Sequence, residues 1–292
     1  MPQKRLFVPL LFSLGLLPFL LHAIEVRETP PPPVKTAEPS VFLTQYLQLI
    51  NNPRYAFGPL GKWKEGEIEV IIDPVQIKRI ENQTRLRMIS NGVKDKDAEQ
   101  WSSVGIVAED YYWIWVRDAV TFPSGVYGTY DRLIWRAGLE GPPGAAIFPL
   151  LPNKKIIVNI NYRHATRSWE VELPRGLKKN GETLEQAATR ELVEETGYHL
   201  SKCTLLGNLA PDSGVLTSII PVYCGEVSYS GDSYKKYSEA IATNPSFTKE
   251  EIKQGFGRGY IEVPINGQIV KAQCRDPYLA YAILQAEVKG IL

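Results

Sequence analysis

Three glutamates crowd the second half of a stretch, residues 183–196, whose composition favours an α-helix. The stretch contains no glycine or proline and is rich in leucine, alanine, glutamate and glutamine. Turned at about 100° per residue, Glu191 and Glu195 fall on the same side of this helix as Leu184. The pattern therefore places two carboxylates one turn apart on the side that the helix buries, with Glu194 beside them.

Carboxylates in such a position need positive charge close by. Without it they repel each other and lose hydration, and the cost rises with burial. A bound divalent cation removes the conflict, and oxygen ligands favour Mg²⁺ or Mn²⁺. The alternative is that the glutamates pair with Arg190, Lys178 or Lys179 on a solvated face. The helix alone favours neither.

The whole segment 176–198 follows a distinctive pattern of residue types. The segment reads Gly176, five residues, Glu182, seven residues, Arg190-Glu191-Leu192, one residue, Glu194-Glu195, one residue and Gly197-Tyr198. Seven fixed residue types at fixed spacing occur by chance with a probability on the order of 10⁻⁹ per start position. The segment resembles the Nudix box, with Tyr198 in place of the family's usual aliphatic residue.

This resemblance implies both a fold and a chemistry. The implied fold is an α/β/α sandwich with a mixed sheet, and the implied reaction is hydrolysis of a nucleoside diphosphate linked to another group. By position, Glu191 and Glu195 resemble the principal ligands of Mg²⁺ (or Mn²⁺), and the Gly176 carbonyl a further ligand. Glu194 would be a ligand or a local base, and Arg190 would orient the glutamates.

The residues that precede the box resemble one branch of the family. Residues 161–163 (Asn-Tyr-Arg) and 172–176 (Glu-Leu-Pro-Arg-Gly) are similar to the Gln-x-Arg strand and the Glu-Leu-Pro-Ala-Gly entry of ADP-ribose and sugar-nucleotide pyrophosphatases. We expect Arg163 to clamp a substrate phosphate, and Glu172 to contact the substrate or brace the site. A strand-end arginine that reaches solvent or an acidic neighbour is the alternative. Arg175 departs from the branch, which has a small residue there.

The acidic loop that often supplies a general base in this branch is not obvious. Asp232 and Glu239 are the nearest candidates, and we choose Glu239; a surface glutamate in a salt bridge is the alternative. Aromatic side chains that could stack on a nucleobase, although alternating aromatics more often pack a sheet, are Trp113, Trp115, Trp135 and Trp169.

These features predict a Mg²⁺-dependent Nudix pyrophosphatase. Its substrate would be ADP-ribose or a nucleotide sugar, cleaved to a nucleoside monophosphate and a sugar phosphate. The alternative is a non-catalytic Nudix-fold module that binds or senses a nucleotide, which Arg175 and the missing acidic loop support. A homodimer is expected from the resemblance to the ADP-ribose branch.

The elements that must position these residues divide the chain into two parts. Residues 141–292 are predicted to form the Nudix domain, and residues 41–140 an accessory, mainly β region that adds N-terminal β-strands. Patterns rich in β-branched and aromatic residues predict strands at Glu67–Ile72, Val104–Ala108, Tyr111–Val116, Gly128–Trp135, Ala145–Leu151, Ile156–Tyr162, Thr204–Leu209 and Leu216–Cys224. Further helices are predicted at Val41–Ile50, Thr248–Gly255 and Pro277–Val288.

The first 40 residues have a different composition. Two basic residues precede an uncharged, apolar run in residues 1–24, which predicts a signal peptide or a membrane anchor. Residues 25–40 are proline-rich and predict an extended linker. We therefore expect a protein that is exported, periplasmic or secreted, or associated with the membrane through its N-terminus.

The overall composition excludes several classes of protein. The chain has 292 residues, with 33 basic and 32 acidic side chains and a formal charge of +1. No global field therefore attracts nucleic acid. A small nucleotide is the partner that the resemblance implies. The 44% of hydrophobic residues argues against wholesale disorder. Cys203, Cys224 and Cys274 allow at most one disulfide and lack zinc-site spacing.

Overall fold

The N-terminal part of the protein is a small antiparallel sheet accompanied by helices. The computed structural model describes residues 40–229, 231 and 239–292. In chain order, the elements of this part are α1 (Val41–Ile50), a 3₁₀ turn (Trp63–Glu65), β1 (Glu69–Ile71), α2 (Pro74–Ser90), α3 (Asp95–Ser102), β2 (Gly105–Glu109), β3 (Trp113–Thr121), β4 (Tyr127–Trp135) and a 3₁₀ turn (Arg136–Gly138).

The centre of this sheet is β3. It pairs with β4 along its whole length, and it also pairs with β2 and β1. Because side chains alternate along a strand, Ile114 and Val116 point to the same face. There they pack in one apolar cluster with Tyr46 of α1 and with Ile77 and Ile80 of α2.

The prediction of a mainly β region at residues 41–140 is wrong about two helices. The predicted helix at Val41–Ile50 and the four strands are present, but α2 and α3 were missed. The signals for α2 are in the sequence: Asp73 caps the helix by accepting the Gln76 N–H, and Pro74 occupies its first turn. Its buried stripe consists of Ile77, Ile80 and Thr84, so the helical period of apolar residues is weak.

The C-terminal part contains the box helix and two mixed sheets. Its elements are β5 (Gly144–Leu150), β6 (Ile156–Ile157), β7 (Asn159–Arg163), β8 (Ser168–Glu172), β9 (Arg175–Leu177), α4 (Leu184–Thr196), β10 (Tyr198–Leu200), β11 (Thr204–Leu209), β12 (Ile220–Tyr229), β13 (Ile241–Thr243), β14 (Ser246–Phe247), α5 (Lys249–Arg258), β15 (Tyr260–Ile265), β16 (Gln268–Gln273) and α6 (Pro277–Val288).

Parallel and antiparallel pairs occur together in this part. β5 runs parallel to β12 and antiparallel to β6 and β9, whereas β7 and β8 are antiparallel and β8 meets β16 in parallel. The expected α/β architecture with a mixed sheet and N-terminal accessory strands is therefore confirmed.

The two faces of β5 fix where α4 lies. Ala145 and Ile147 point to one face and pack against Ala188 and Leu192 of α4. The intervening residues point to the other face and join the large core formed with β7, β8 and α6. Because β5 is buried on both sides, α4 is held against a rigid strand.

The ends of α4 are confirmed in detail. Thr183 caps the helix and forms a reciprocal capping box with Gln186. Gly197 follows the last turn with φ of 75°, the left-handed conformation that closes a helix. The helix predicted at Pro277–Val288 is confirmed at both ends.

One strand begins later than predicted. The sequence predicted a strand from Leu216, but β12 begins at Ile220. The reason is a competing partner: the Leu133 N–H of β4 donates to the Val215 carbonyl at 2.8 Å, and Leu216 forms a parallel bridge with Leu133. The loop after β11 is thereby attached to the accessory sheet. The proposed boundary at residue 140 stays a prediction.

The expectation of an exported or membrane-anchored protein is wrong. Within residues 40–229, 231 and 239–292, no helix is long and apolar enough to cross a membrane. The segment on which that expectation depended, residues 1–24, and all of the linker except residue 40 lie outside the described residues.

Two arginine–aspartate pairs join β3 to β4 in different surroundings. Asp118 is 1% exposed, and it accepts hydrogen bonds from Arg132 Nη2 at 2.8 Å and from the Tyr46 hydroxyl at 2.6 Å. Asp131 is 41% exposed and pairs with Arg117 Nε at 2.8 Å. The two pairs have the same chemistry and differ in the burial of the carboxylate.

We predict that Asp118→Asn lowers the free energy of unfolding by about 3–5 kcal/mol, because it breaks an ion pair whose carboxylate is buried and also accepts from the Tyr46 hydroxyl. Asp131→Asn is the matched control and should cost about 1 kcal/mol or less, because this carboxylate is exposed and Arg117 keeps the carbonyl oxygens of Gln100 and Ser103 as acceptors. Urea unfolding of both variants measures the difference. Equal losses would show that burial of Asp118 does not increase the cost of removing its charge.

Candidate functional site

The box helix α4 buries two of its glutamates. Glu191 and Glu195 are 3% and 5% exposed, one turn apart on the side that faces β5 and β9. Glu194 lies further out, and its carboxylate pairs with Lys179 at 3.2 Å and with Arg190 at 3.1 Å. The predicted separation of the glutamates into an inner pair and a flanking residue is what the structure shows.

A third carboxylate joins the inner pair. One carboxylate oxygen from each of Glu191, Glu195 and Glu239 lies within 4.8 Å of the other two. Glu239 is brought there by the segment that leads into β13, where the Tyr162 N–H donates to the Ala240 carbonyl at 3.0 Å. The other base candidate, Asp232, lies outside the described residues.

The donor set of this cluster fits a hard divalent cation. Carboxylate oxygens are the ligands that Mg²⁺ and Mn²⁺ prefer, and three close carboxylates repel one another unless positive charge is supplied. Glu194, expected as a further ligand, is not one of the three. Metal ligation by Glu194 therefore stays a prediction, as it does for Glu191 and Glu195.

Glycine is required at position 176 because the chain passes very close to Glu191. A Cβ atom on Gly176 would lie 2.2 Å from Glu191 Cδ, far inside van der Waals contact. The Gly176 carbonyl oxygen in turn lies against Gly144 of β5. The two glycines allow β9 to lie between β5 and the buried carboxylate. Metal ligation by the Gly176 carbonyl remains a prediction.

Arg190 connects the loop before the helix to the glutamates. Its Nε donates to Glu182 at 2.7 Å, while Nη1 donates to Glu191 at 2.7 Å and to Glu194 at 3.1 Å. The hydrogen bond from Arg190 lowers the pKa of Glu182 to about 2, so this carboxylate stays charged. Arg190 thus hydrogen-bonds to three carboxylates, and the alternative of pairing with nearby cations describes Glu194 best.

A buried amide that was not among the expected site residues contacts the cluster. Asn159 of β7 donates from Nδ2 to Glu195 Oε2 at 2.7 Å, and Asn244 Nδ2 donates to Asn159 Oδ1, also at 2.7 Å. An asparagine inside an apolar strand is a signal for a polar partner, because a buried amide without one is costly. The partner itself could not be read from the sequence.

Beside the cluster, Arg163 and Glu172 contact each other. Arg163 Nη2 lies 2.6 Å from Glu172 Oε2, and Arg175 Nη2 donates to Glu172 Oε1 at 3.1 Å. Arg175 Nη1 also donates to the buried Asp276 at 3.1 Å. Burial opposes the charge on Arg175, but Asp276 and Glu172 outweigh it and raise the pKa of the guanidinium. Arg175, which stands where the branch has a small residue, therefore belongs to an ion-pair network.

This network forms part of the wall of a cavity. The cavity has a volume of about 200 Å³ and is lined by residues from the accessory region, β9 and α6, among others. Its lining includes Trp135, Arg163, Arg175, Gly176 and Tyr278. Of the four tryptophans considered, Trp135 is the one on its wall. The cavity reaches the loop that also contacts the carboxylate cluster.

The fold and this site together define an α/β protein whose box helix presents a carboxylate cluster beside a basic, aromatic cavity. Residues 141–229 match the family model of the NUDIX domain. The match extends the resemblance of the box to residues 141–229.

Two curated proteins are similar over this part of the chain. The ADP-ribose pyrophosphatase of Bacillus subtilis (strain 168) is 35% identical over 88 residues, 30% of this chain and 48% of that protein. The methanol dehydrogenase activator of Bacillus methanolicus is 35% identical over 106 residues, 36% of this chain and 54% of that protein. The chain thus spans about half the length of these relatives.

A solved structure described as an ADP compounds hydrolase has 20% sequence identity to the chain and a TM-score of 0.46. The match covers 65% of this chain and 93% of that chain. A likeness at this level carries no argument about function.

Gly176→Ala should displace the Glu191 carboxylate by roughly 1 Å or more, since a carbon pair at 2.2 Å must separate to about 3.5 Å. We expect weaker Mn²⁺ binding by about tenfold or more in isothermal titration calorimetry, because metal ligands tolerate little displacement. Gly257→Ala is the control, since a Cβ there meets nothing within 4 Å. Wild-type affinity in Gly176→Ala would contradict this account of the close approach.

Proposed function

We propose that the protein is a Mg²⁺-dependent pyrophosphatase that hydrolyses ADP-ribose or a nucleotide sugar to a nucleoside monophosphate and a sugar phosphate. The observation that carries this proposal is the convergence of Glu191, Glu195 and Glu239 close to Gly176, which also lines the basic cavity. We propose residues 141–292 as the hydrolase domain and residues 41–140 as the accessory region.

In this proposal the cluster holds Mg²⁺, or Mn²⁺, through Glu191 and Glu195, with the Gly176 carbonyl and Glu194 as further candidates. A cation bound there would neutralise charge on the pyrophosphate oxygens and lower the pKa of the attacking water. Arg190 keeps the carboxylates oriented through its hydrogen bonds to Glu191 and Glu194.

The residues around the metal cluster would bind the substrate and move the proton. Arg163, on the wall of the cavity, would hold a substrate phosphate, with Glu172 fixing its guanidinium. Glu239 would accept the proton of the attacking water as the new bond to phosphorus forms and the bridging oxygen leaves. Trp135 would bring the accessory region into contact with the substrate.

The name of the Bacillus subtilis relative supports ADP-ribose as the first substrate to test. The residues of the Glu-Leu-Pro-x-Gly entry point to the same branch. A nucleotide sugar has the same pyrophosphate group and is the second choice. The homodimer expected for this branch stays a proposal, and sedimentation analysis of the chain tests it.

A binding or sensing module is the second candidate. Its specific support is that cations already pair with two of the box carboxylates, since Arg190 contacts Glu191 and Lys179 contacts Glu194. The relative named as a methanol dehydrogenase activator also fits a role outside plain hydrolysis. Calorimetry with ADP-ribose and Mg²⁺ that shows binding without product would favour this candidate.

We predict that Glu191→Gln and Glu195→Gln each lower kcat for ADP-ribose by about 100-fold or more, since several kcal/mol of transition-state stabilisation depend on the metal. Release of AMP measures the effect. Glu226→Gln is the control, because Glu226 is exposed and lies 3.8 Å from Lys154. Full activity in either box variant would rule out the proposed hydrolysis at this cluster.

Arg163→Ala should raise KM by about 10-fold or more and change kcat less, because a charged hydrogen bond to a phosphate contributes to ground-state and transition-state binding alike. Arg167→Ala serves as the control, since Arg167 lies in the turn beyond β7 and contacts His164. A loss confined to kcat would assign Arg163 to the chemical step instead of substrate binding.

A further inference from the structure

The buried amide of Asn159 lies on the polar face of β7. Its chain neighbours Val158 and Ile160 point the other way and belong to the large apolar core. Asn159 and Asn161 share the opposite face, as alternation along a strand requires. Both are buried, at 2% and 5% exposure, yet they contact different carboxylates.

The two asparagines differ in the carboxylates that their side-chain amides contact. Asn159 Nδ2 donates to Glu195 Oε2 at 2.7 Å, a short and well-formed hydrogen bond. Asn161 Nδ2 lies 3.4 Å from Glu172 Oε2, beside the cavity. One amide therefore contacts the metal cluster, and the other contacts the cavity network.

The orientation of the Asn159 amide is fixed from its other end. An amide has one end that donates and one that accepts. Asn244 Nδ2 donates to Asn159 Oδ1 at 2.7 Å, so the carbonyl oxygen of Asn159 is engaged and its NH₂ group faces Glu195. The reversed amide would place two acceptors against each other at Glu195 and two donors at Asn244.

A neutral donor suits a carboxylate that must bind a cation. The hydrogen bond from Asn159 holds one oxygen of Glu195 in place and adds no positive charge to the cluster. Glu191 is held differently, by the charged Nη1 of Arg190 at 2.7 Å. Since a neutral amide dipole repels a dication far less than a guanidinium does, Asn159 orients its glutamate at lower electrostatic cost.

The same hydrogen-bond chain reaches the segment that carries Glu239. Asn244 follows β13, and Glu239 precedes it. The Val158 N–H donates to the Pro245 carbonyl at 3.0 Å, so β7 is attached to this segment on the far side of Asn244 as well. The position of Glu195 is thereby linked to the segment that supplies the third carboxylate.

We propose that Asn159, oriented by Asn244, is a positioning residue that holds Glu195 for divalent-cation binding. The inference rests on the proposed function, because it assigns a role at the same metal cluster. Loss of such an outer-shell hydrogen bond typically weakens metal affinity by about 10–100-fold.

The test is titration of the full chain with Mn²⁺ by isothermal titration calorimetry, without substrate. Asn159→Ala should raise the Kd for Mn²⁺ by about 10–100-fold, and Asn244→Ala should raise it by a smaller factor. Asn161→Ala, the same substitution two residues along the same face, should leave the Kd within about twofold, because its amide contacts Glu172 and not the cluster. Thermal melting establishes that each variant is folded.

The outcomes separate this inference from the proposed function. If the wild type binds Mn²⁺ and Asn159→Ala binds it equally well, the positioning role is overturned while the proposed function stands. An equal loss in Asn161→Ala also overturns it, since disturbance of β7 would then explain the effect. If Asn159→Ala does not fold, an unchanged Kd in folded Asn244→Ala overturns the proposal. No Mn²⁺ binding by the wild type overturns both.

Discussion

Burial of the carboxylates of Glu191 and Glu195 against a β-sheet is the constraint on which the rest of the site depends. Two negative charges one turn apart lose hydration and repel each other there, so the protein must supply compensating donors or a cation. The structure provides one charged and one neutral donor. The guanidinium of Arg190 donates to Glu191, and the amide of Asn159 donates to Glu195. A third carboxylate, Glu239, then adds to the negative charge.

The surrounding fold can be understood as support for that cluster. β5, buried on both faces, fixes α4, and glycine at position 176 lets the entry strand lie against Glu191. Arg175 links this entry to Asp276 at the start of α6, which closes the cavity beside the cluster. The accessory region contributes Trp135 to the same cavity. The residues proposed for substrate recognition would then line the same cavity as Gly176, a proposed metal ligand.

Most of the box could be predicted from sequence because its signals are local. The caps of α4, the buried side of the helix and the glutamates all follow from spacing within a single element. Asn159 and Asp276 could not be predicted in the same way, because their partners lie 36 and 101 to 103 residues away. Glu239 could be named only as a candidate, since the pairing of its segment with β7 decides where it lies.

The most direct test of this account is a crystal structure of the chain soaked in Mn²⁺, with an anomalous difference map. We expect a peak in contact with carboxylate oxygens of both Glu191 and Glu195, close to Gly176. A map without such a peak at saturating Mn²⁺, with the glutamates still bound to Arg190 and Asn159, would contradict it.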